Sequence, residues 1–168
     1  MDNNKEKAQL LIDYLHRIAF HHVFWFTEIE HQLGENKAYS ALKDVYSQSY
    51  KIFIDRFART LGFDIEDGIP LPLLKIDEEQ LDSLIKSIGT NWLANDGVWF
   101  QTVEAERGMN DAKRCNDSCW SRFSPFEAYS IKNLLKLENQ PGLDGLAKAL
   151  NYRLYSVINK QTVKRKKI

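Results

Sequence analysis

The sequence predicts an all-α protein, on three observations. Only four prolines occur in 168 residues: Pro70, Pro72, Pro125 and Pro141. The long stretches between them carry apolar side chains three and four residues apart, the period of a helix with one buried face. Two Gly-x-Asn sequences, at Gly34 to Asn36 and Gly108 to Asn110, interrupt those stretches. Glycine there ends one helix and asparagine opens the next.

The elements follow in order. Residues 5–33 read as the first helix, and Asn36 caps a second that runs to residue 61, before Gly62. Residues 62–76 hold Gly62, Gly68, Pro70 and Pro72 and form a linker, the one place where a strand could hide. Asp77 and Gln80 make a capping box for the third helix, which ends at residue 107. Asn110 caps the fourth helix. It breaks at Ser124-Pro125, where Ser124 and Glu127 make a second capping box, and resumes to residue 137. Pro141 and Gly142 introduce a last helix to residue 159, followed by a tail at 160–168. The expected architecture is a single helical domain. Two pseudo-symmetric hairpins (5–61 and 77–137) form a core like a four-helix bundle, with a fifth, C-terminal helix.

The pseudo-symmetry comes from an internal repeat at an offset of 74 residues. Trp25, Phe26, Glu30, Gly34, Asn36 and Ala38 recur as Trp99, Phe100, Glu104, Gly108, Asn110 and Ala112. Neither hairpin can bury its apolar face alone. The Trp-Phe pairs are expected in the core. Glu30 and Glu104 fall at the edge of the apolar stripe. Each either pairs with a base or lines a cavity as one of two symmetric carboxylates.

Composition sets the class. Hydrophobic residues make up 43% and charged residues 27%, which suits a globular chain. Basic and acidic residues number 23 each, so nucleic acid is not an expected partner. No apolar run reaches the ~20 residues of a membrane span, and the polar opening is unlike a signal peptide. Two cysteines make no disulfide framework. A soluble, reduced, cytoplasmic protein is expected. The tail carries Lys160, Lys164, Arg165, Lys166 and Lys167 and no acid. It reads as a solvated end, with a polyanion contact as the sharper alternative.

The candidate site rests on polar residues found among apolar ones. On the third helix Leu81, Ile85, Ile88, Trp92, Trp99, Phe100 and Val103 mark the inward face. Asp96 sits in its middle, four residues from both Trp92 and Phe100. A carboxylate there needs a partner or a raised pKa. Gly97, in mid-helix, allows close approach by a ligand or another helix. The repeat partner of Asp96 is His22, and a histidine oriented by a carboxylate can act as a general base. A structural ion pair is the plainer role for both. Asn116 lies on the inward stripe of the fourth helix, opposite an apolar Leu42 in the repeat. Cys115 and Cys119 read as small buried hydrophobes, too far apart on one helix to bond to each other. Glu28-x-x-His31 has the spacing of a di-iron ligand pair but falls off the stripe. No phosphate loop, Gly-x-Ser-x-Gly or His-Glu-x-x-His is present, so no metal or other cofactor is expected.

Residues 91–120 resemble a family of uncharacterised prokaryotic cytosolic proteins. The shared pattern here is Asp96, Gly97, Trp99, Phe100, Glu104, Gly108, Ala112 and Trp120. The resemblance extends through residues 122–128 and over most of the chain. Such sequences are grouped with L-2-amino-thiazoline-4-carboxylic acid hydrolase-like proteins. The resemblance implies a helical fold and a hydrolase-like or ligand-binding role, with no established catalytic residues. The expected function is therefore a small-molecule site between the hairpins for an amino- or carboxy-bearing metabolite. Asp96 and His22 would be its acid and base. Glu104, Glu30, Asn116, Trp99 and Trp120 would bind the ligand. The alternative is a non-enzymatic, homodimeric interaction domain with no membrane contact.

Overall fold

The computed structural model describes residues 3–160 and 162–164, the Asn3 side chain excepted. Most of the basic tail, Arg165 to Lys167 included, lies outside the described residues. The fold is all-α, and the chain divides into two compact units, residues 1–75 and 76–168.

The first unit is a hairpin of two long helices, α1 (Asn3–Leu33) and α2 (Glu35–Leu61). Gly62 ends α2 in the left-handed conformation, its N–H donating to the Ala58 carbonyl. Two short antiparallel strands follow, β1 (Ile65–Glu66) and β2 (Ile69–Pro70). Asp67 and Gly68 join them, with φ of 50° and 80°. Asp-Gly is the pair that favours such a two-residue turn. The short helix α3 (Leu71–Leu74) completes the unit.

The second unit is a hairpin of α4 (Glu78–Arg107) and α5 (Met109–Leu134). Asp77 caps α4 as expected, its carboxylate accepting from the Gln80 N–H at 2.8 Å. After α5 come α6 (Gly142–Leu150) and a 3-10 helix at Leu154–Val157, which packs on α4.

The two hairpins turn in the same way. Gly34 has φ 87° and ψ 160°, and Gly108 has φ 87° and ψ 168°. This region of backbone space is open essentially to glycine alone. Each glycine N–H donates back one turn, Gly34 to the Glu30 carbonyl and Gly108 to the Glu104 carbonyl. Each glycine carbonyl accepts the N–H of the alanine four residues on, Ala38 or Ala112. Both alanines are 1% exposed, because the one-residue turn brings the two helices together there.

Several expected boundaries differ. Asn36 and Asn110 are not caps; the glycines hold that position, and each asparagine lies inside the first helical turn. α5 does not break at Ser124-Pro125 but carries Pro125 in its interior. Phe123 on one side of the proline and Phe126 and Ile131 on the other are all drawn inward, which holds one helix together despite the lost hydrogen bond. α5 ends at Leu134, not residue 137. The last helix ends at Leu150, not residue 159, because Arg153 is extended, with ψ 145°.

Candidate functional site

In the second unit the inward stripe of α4 runs through Leu81, Gly89, Trp92, Asp96, Phe100 and Val103, and that of α5 through Ala112, Asn116, Trp120, Phe123, Glu127 and Ile131. The spacings are three, four and multiples of four, so each set lies along one helix face. Where the stripes meet, three rings pack together. Trp92 stands 5.5 Å from Trp120, edge to face, and 5.9 Å from Phe123, nearly parallel. Tyr155 of the 3-10 helix adds a fourth ring, 6.4 Å from Trp92. At these separations the rings touch one another and form a core, with no room for a ligand between them.

Asp96 lies one turn beyond Trp92 on this stripe and is half-buried. Its carboxylate makes no hydrogen bond or ion pair among the described residues. Asn116 and Trp120 across the hairpin are half-buried too, as is Glu104. Gly97 does not serve a close approach: a side chain there would meet nothing within 4 Å. Trp99 is not in the core, nor are Ile85 and Ile88; all three are exposed. Trp99 stands about 100° around the helix from Phe100, so only one of the pair can face α5. Cys115 and Cys119 are free and exposed, not buried, because Asn116 and Trp120 occupy the inward positions beside them.

The most buried charge of the unit is Glu127, with a side chain 9% exposed. One oxygen accepts from Arg153 Nε at 2.9 Å and the other from the Leu154 N–H at 2.8 Å. The carboxylate thereby neutralises Arg153 and caps the 3-10 helix at its free N–H end. Four residues before and after Glu127 stand the inward-facing Phe123 and Ile131. This position on the apolar stripe was the sequence signal, hidden by the Ser-Pro-x-Glu capping pattern. Gly89 gives the 3-10 helix its seat. An added Cβ would lie 2.3 Å from Val157 Cγ2 and 3.2 Å from the Leu154 carbonyl oxygen.

In the first unit His22 is exposed, with Nε2 3.4 Å from Ser49 Oγ on α2. Glu30 is half-buried near the turn, close to Tyr39. Partial burial first, then the Glu35 and Glu30 carboxylates, hold the Tyr39 phenol above the usual tyrosine pKa. The Tyr39 ring packs edge-on against Phe26 at 5.3 Å. Trp25 is 60% exposed and not core, for the same reason as Trp99. His22 and Glu30 belong to this unit, and Asp96, Glu104 and Asn116 to the other.

Two open recesses lie elsewhere. One, of about 640 Å³, is lined by Asp55, Arg59, Phe63 and Asp64 at the end of α2. The other, of about 450 Å³, is lined by Lys113, Arg114, Asp117 and Ser121 on α5. None of the residues expected to form a site lines either. Among the described residues, no group of three or more His, Cys, Asp or Glu side chains could hold a metal ion. No described helix is long and apolar enough to cross a membrane.

The fold and its polar positions thus define a class, an all-α protein of helical hairpins. Residues 73–168 match a family of unknown function, DUF6125, and the chain belongs to that family. The match begins within three residues of the boundary between the units and so covers the second unit. No curated protein and no solved structure gave a significant match.

Proposed function

We propose that the chain is a non-enzymatic interaction domain that works as a homodimer. The apolar surface of the first hairpin carries this reading. From residue 4 to residue 25 of α1, Asp13 alone is not exposed, and the exposed set includes Leu10, Leu11, Tyr14, Ile18, Phe24 and Trp25. A helix apolar around most of its circumference is stable when several neighbours cover it. The free thiols and the balanced composition support a cytoplasmic setting. Light scattering on the full chain over a dilution series tests the reading. Mass should fall from the dimer toward 19.6 kDa as the protein is diluted. A mass of 19.6 kDa throughout would contradict it.

One observation favours a second reading, a small-molecule site on the second unit. Asp96 is a half-buried carboxylate with no partner among the described residues, beside a glycine whose missing side chain nothing replaces. The resemblance to L-2-amino-thiazoline-4-carboxylic acid hydrolase-like proteins supports this reading, for an amino-bearing metabolite met by Asp96, Glu104, Asn116 and Trp120. A thermal-shift screen of amino-acid-like compounds tests it. A stabilising compound whose effect disappears in Asp96→Asn is the result it expects.

A further inference from the structure

We infer that the face of α1 turned away from α2 is the surface on which a second copy of this chain docks. The inference rests on the interaction-domain reading and names its surface. His22, against Ser49, and Phe26, against Tyr39, mark the side of α1 that meets α2. At about 100° per residue, Leu10, Asp13, Arg17, Phe20 and Phe24 fall on the opposite side. Tyr14 and Trp25 flank them.

Between residues 10 and 25 this face has aromatic side chains, one arginine and no lysine or glutamate, as the centre of an interface does, with Glu6 and Glu28 at its two ends. Tyr14, Phe20, Phe24 and Trp25 are 49%, 38%, 63% and 60% exposed. At 150–250 Å² per aromatic side chain, they offer about 400 Å² from each copy. A stable dimer buries about 800 Å² per partner, so these four supply half and their neighbours can supply the rest.

Neighbouring side chains along this helix also pack on one another. His16 packs on Phe20 at 4.9 Å, Phe20 on Phe24 at 6.3 Å and His21 on Trp25 at 6.4 Å, while the Arg17 guanidinium lies 5.7 Å from the Tyr14 ring centre. Side chains restrained by such contacts lose less entropy on association.

Charge selects the occupant. Between Lys7 and Lys37, Arg17 is the only lysine or arginine, against Asp13, Glu28, Glu30 and Glu35. A helix that lies on an anionic membrane carries a basic polar face, and α1 has none. The Asp13–Arg17 ion pair makes the face self-complementary. An antiparallel copy, with its two-fold axis midway between them, sets each Arg17 beside the partner's Asp13.

The test measures the dimer dissociation constant of the full chain by sedimentation. Phe24→Glu should raise it about 30-fold or more, with helix content unchanged because Phe24 is exposed. Arg17→Asp should also weaken the dimer, and adding Asp13→Arg should restore it. Val98→Glu, at an exposed position of α4, should leave it unchanged. A dimer untouched by Phe24→Glu would overturn this surface while leaving the interaction-domain reading intact. A wild-type chain that is monomeric at every concentration would overturn both.

Discussion

The two hairpins are turned alike and finished differently. Gly34 and Gly108 share one backbone geometry, and Ala38 and Ala112 share one depth of burial. The second hairpin then receives the chain's own C-terminal segment, seated at Gly89, ringed by Trp92 and Tyr155 and tied by Glu127. Within its own unit, the first hairpin receives only a two-stranded turn and a four-residue helix, and most of α1 stays bare. A long amphipathic hairpin is an incomplete object, and what completes it decides whether the surface left over is polar or adhesive. One hairpin is covered along its inner seam from within its unit, while Leu84, Ile88, Val98 and Trp99 on the outer side of α4 stay exposed. The other, on this account, is completed by a second copy.

The largest test of that contrast is the tie. Glu127→Ala leaves Arg153 partly buried without its counter-charge and the Leu154 N–H without an acceptor, and should cost roughly 2–4 kcal/mol. Denaturant unfolding would measure the loss. Limited proteolysis should cut first between residues 150 and 160, with no matching effect on the first unit.

The shared turn comes next. Gly34→Ala and Gly108→Ala should each cost about 1–3 kcal/mol, since both glycines sit where a Cβ is strained. Unequal costs would show that the resemblance of the two turns ends at their geometry. Within α4 the two mid-helix glycines should behave oppositely. Gly89→Ala overlaps Val157 and should destabilise by about 1–2 kcal/mol. Gly97→Ala meets open space and should stabilise by about 0.5–1 kcal/mol, the ordinary preference of a helix for alanine. Thermal melts of both variants would decide.

The smallest effect is alkaline and confined to the first hairpin, where Tyr39 stands at the position of Lys113 in the second. Its phenol has a raised pKa in the folded chain, so the unfolded chain loses that proton first. The contribution is intact below the ordinary tyrosine value of 10.0 and is lost as pH rises above it. Tyr39→Phe should flatten the fall of stability with pH in that range.

Much of this fold was legible in the sequence because it is local. The helical period, the two turn glycines, the Asp77 cap and the linker all act within a few residues. Cap identity failed at Asn36 and Asn110 because glycine itself, in a conformation asparagine does not share, takes the N-cap position. The Trp-Phe pairs failed because period alone cannot say which of two adjacent rings faces the neighbouring helix. The tie was illegible for a different reason. Glu127 reaches Leu154, 27 residues on, and its local pattern reads equally well as a helix cap. The aromatic cluster shows the same limit: Trp92 reads as inward-facing and Trp120 as a ligand contact, but their meeting depends on hairpin register.

The most direct test is hydroxyl-radical labelling of the full chain at low and high protein concentration. Tyr14, Phe24 and Trp25 should become protected as concentration rises, while the equally exposed Trp99 stays reactive. Labelling of those three residues that is the same at every concentration would contradict docking on this face of α1.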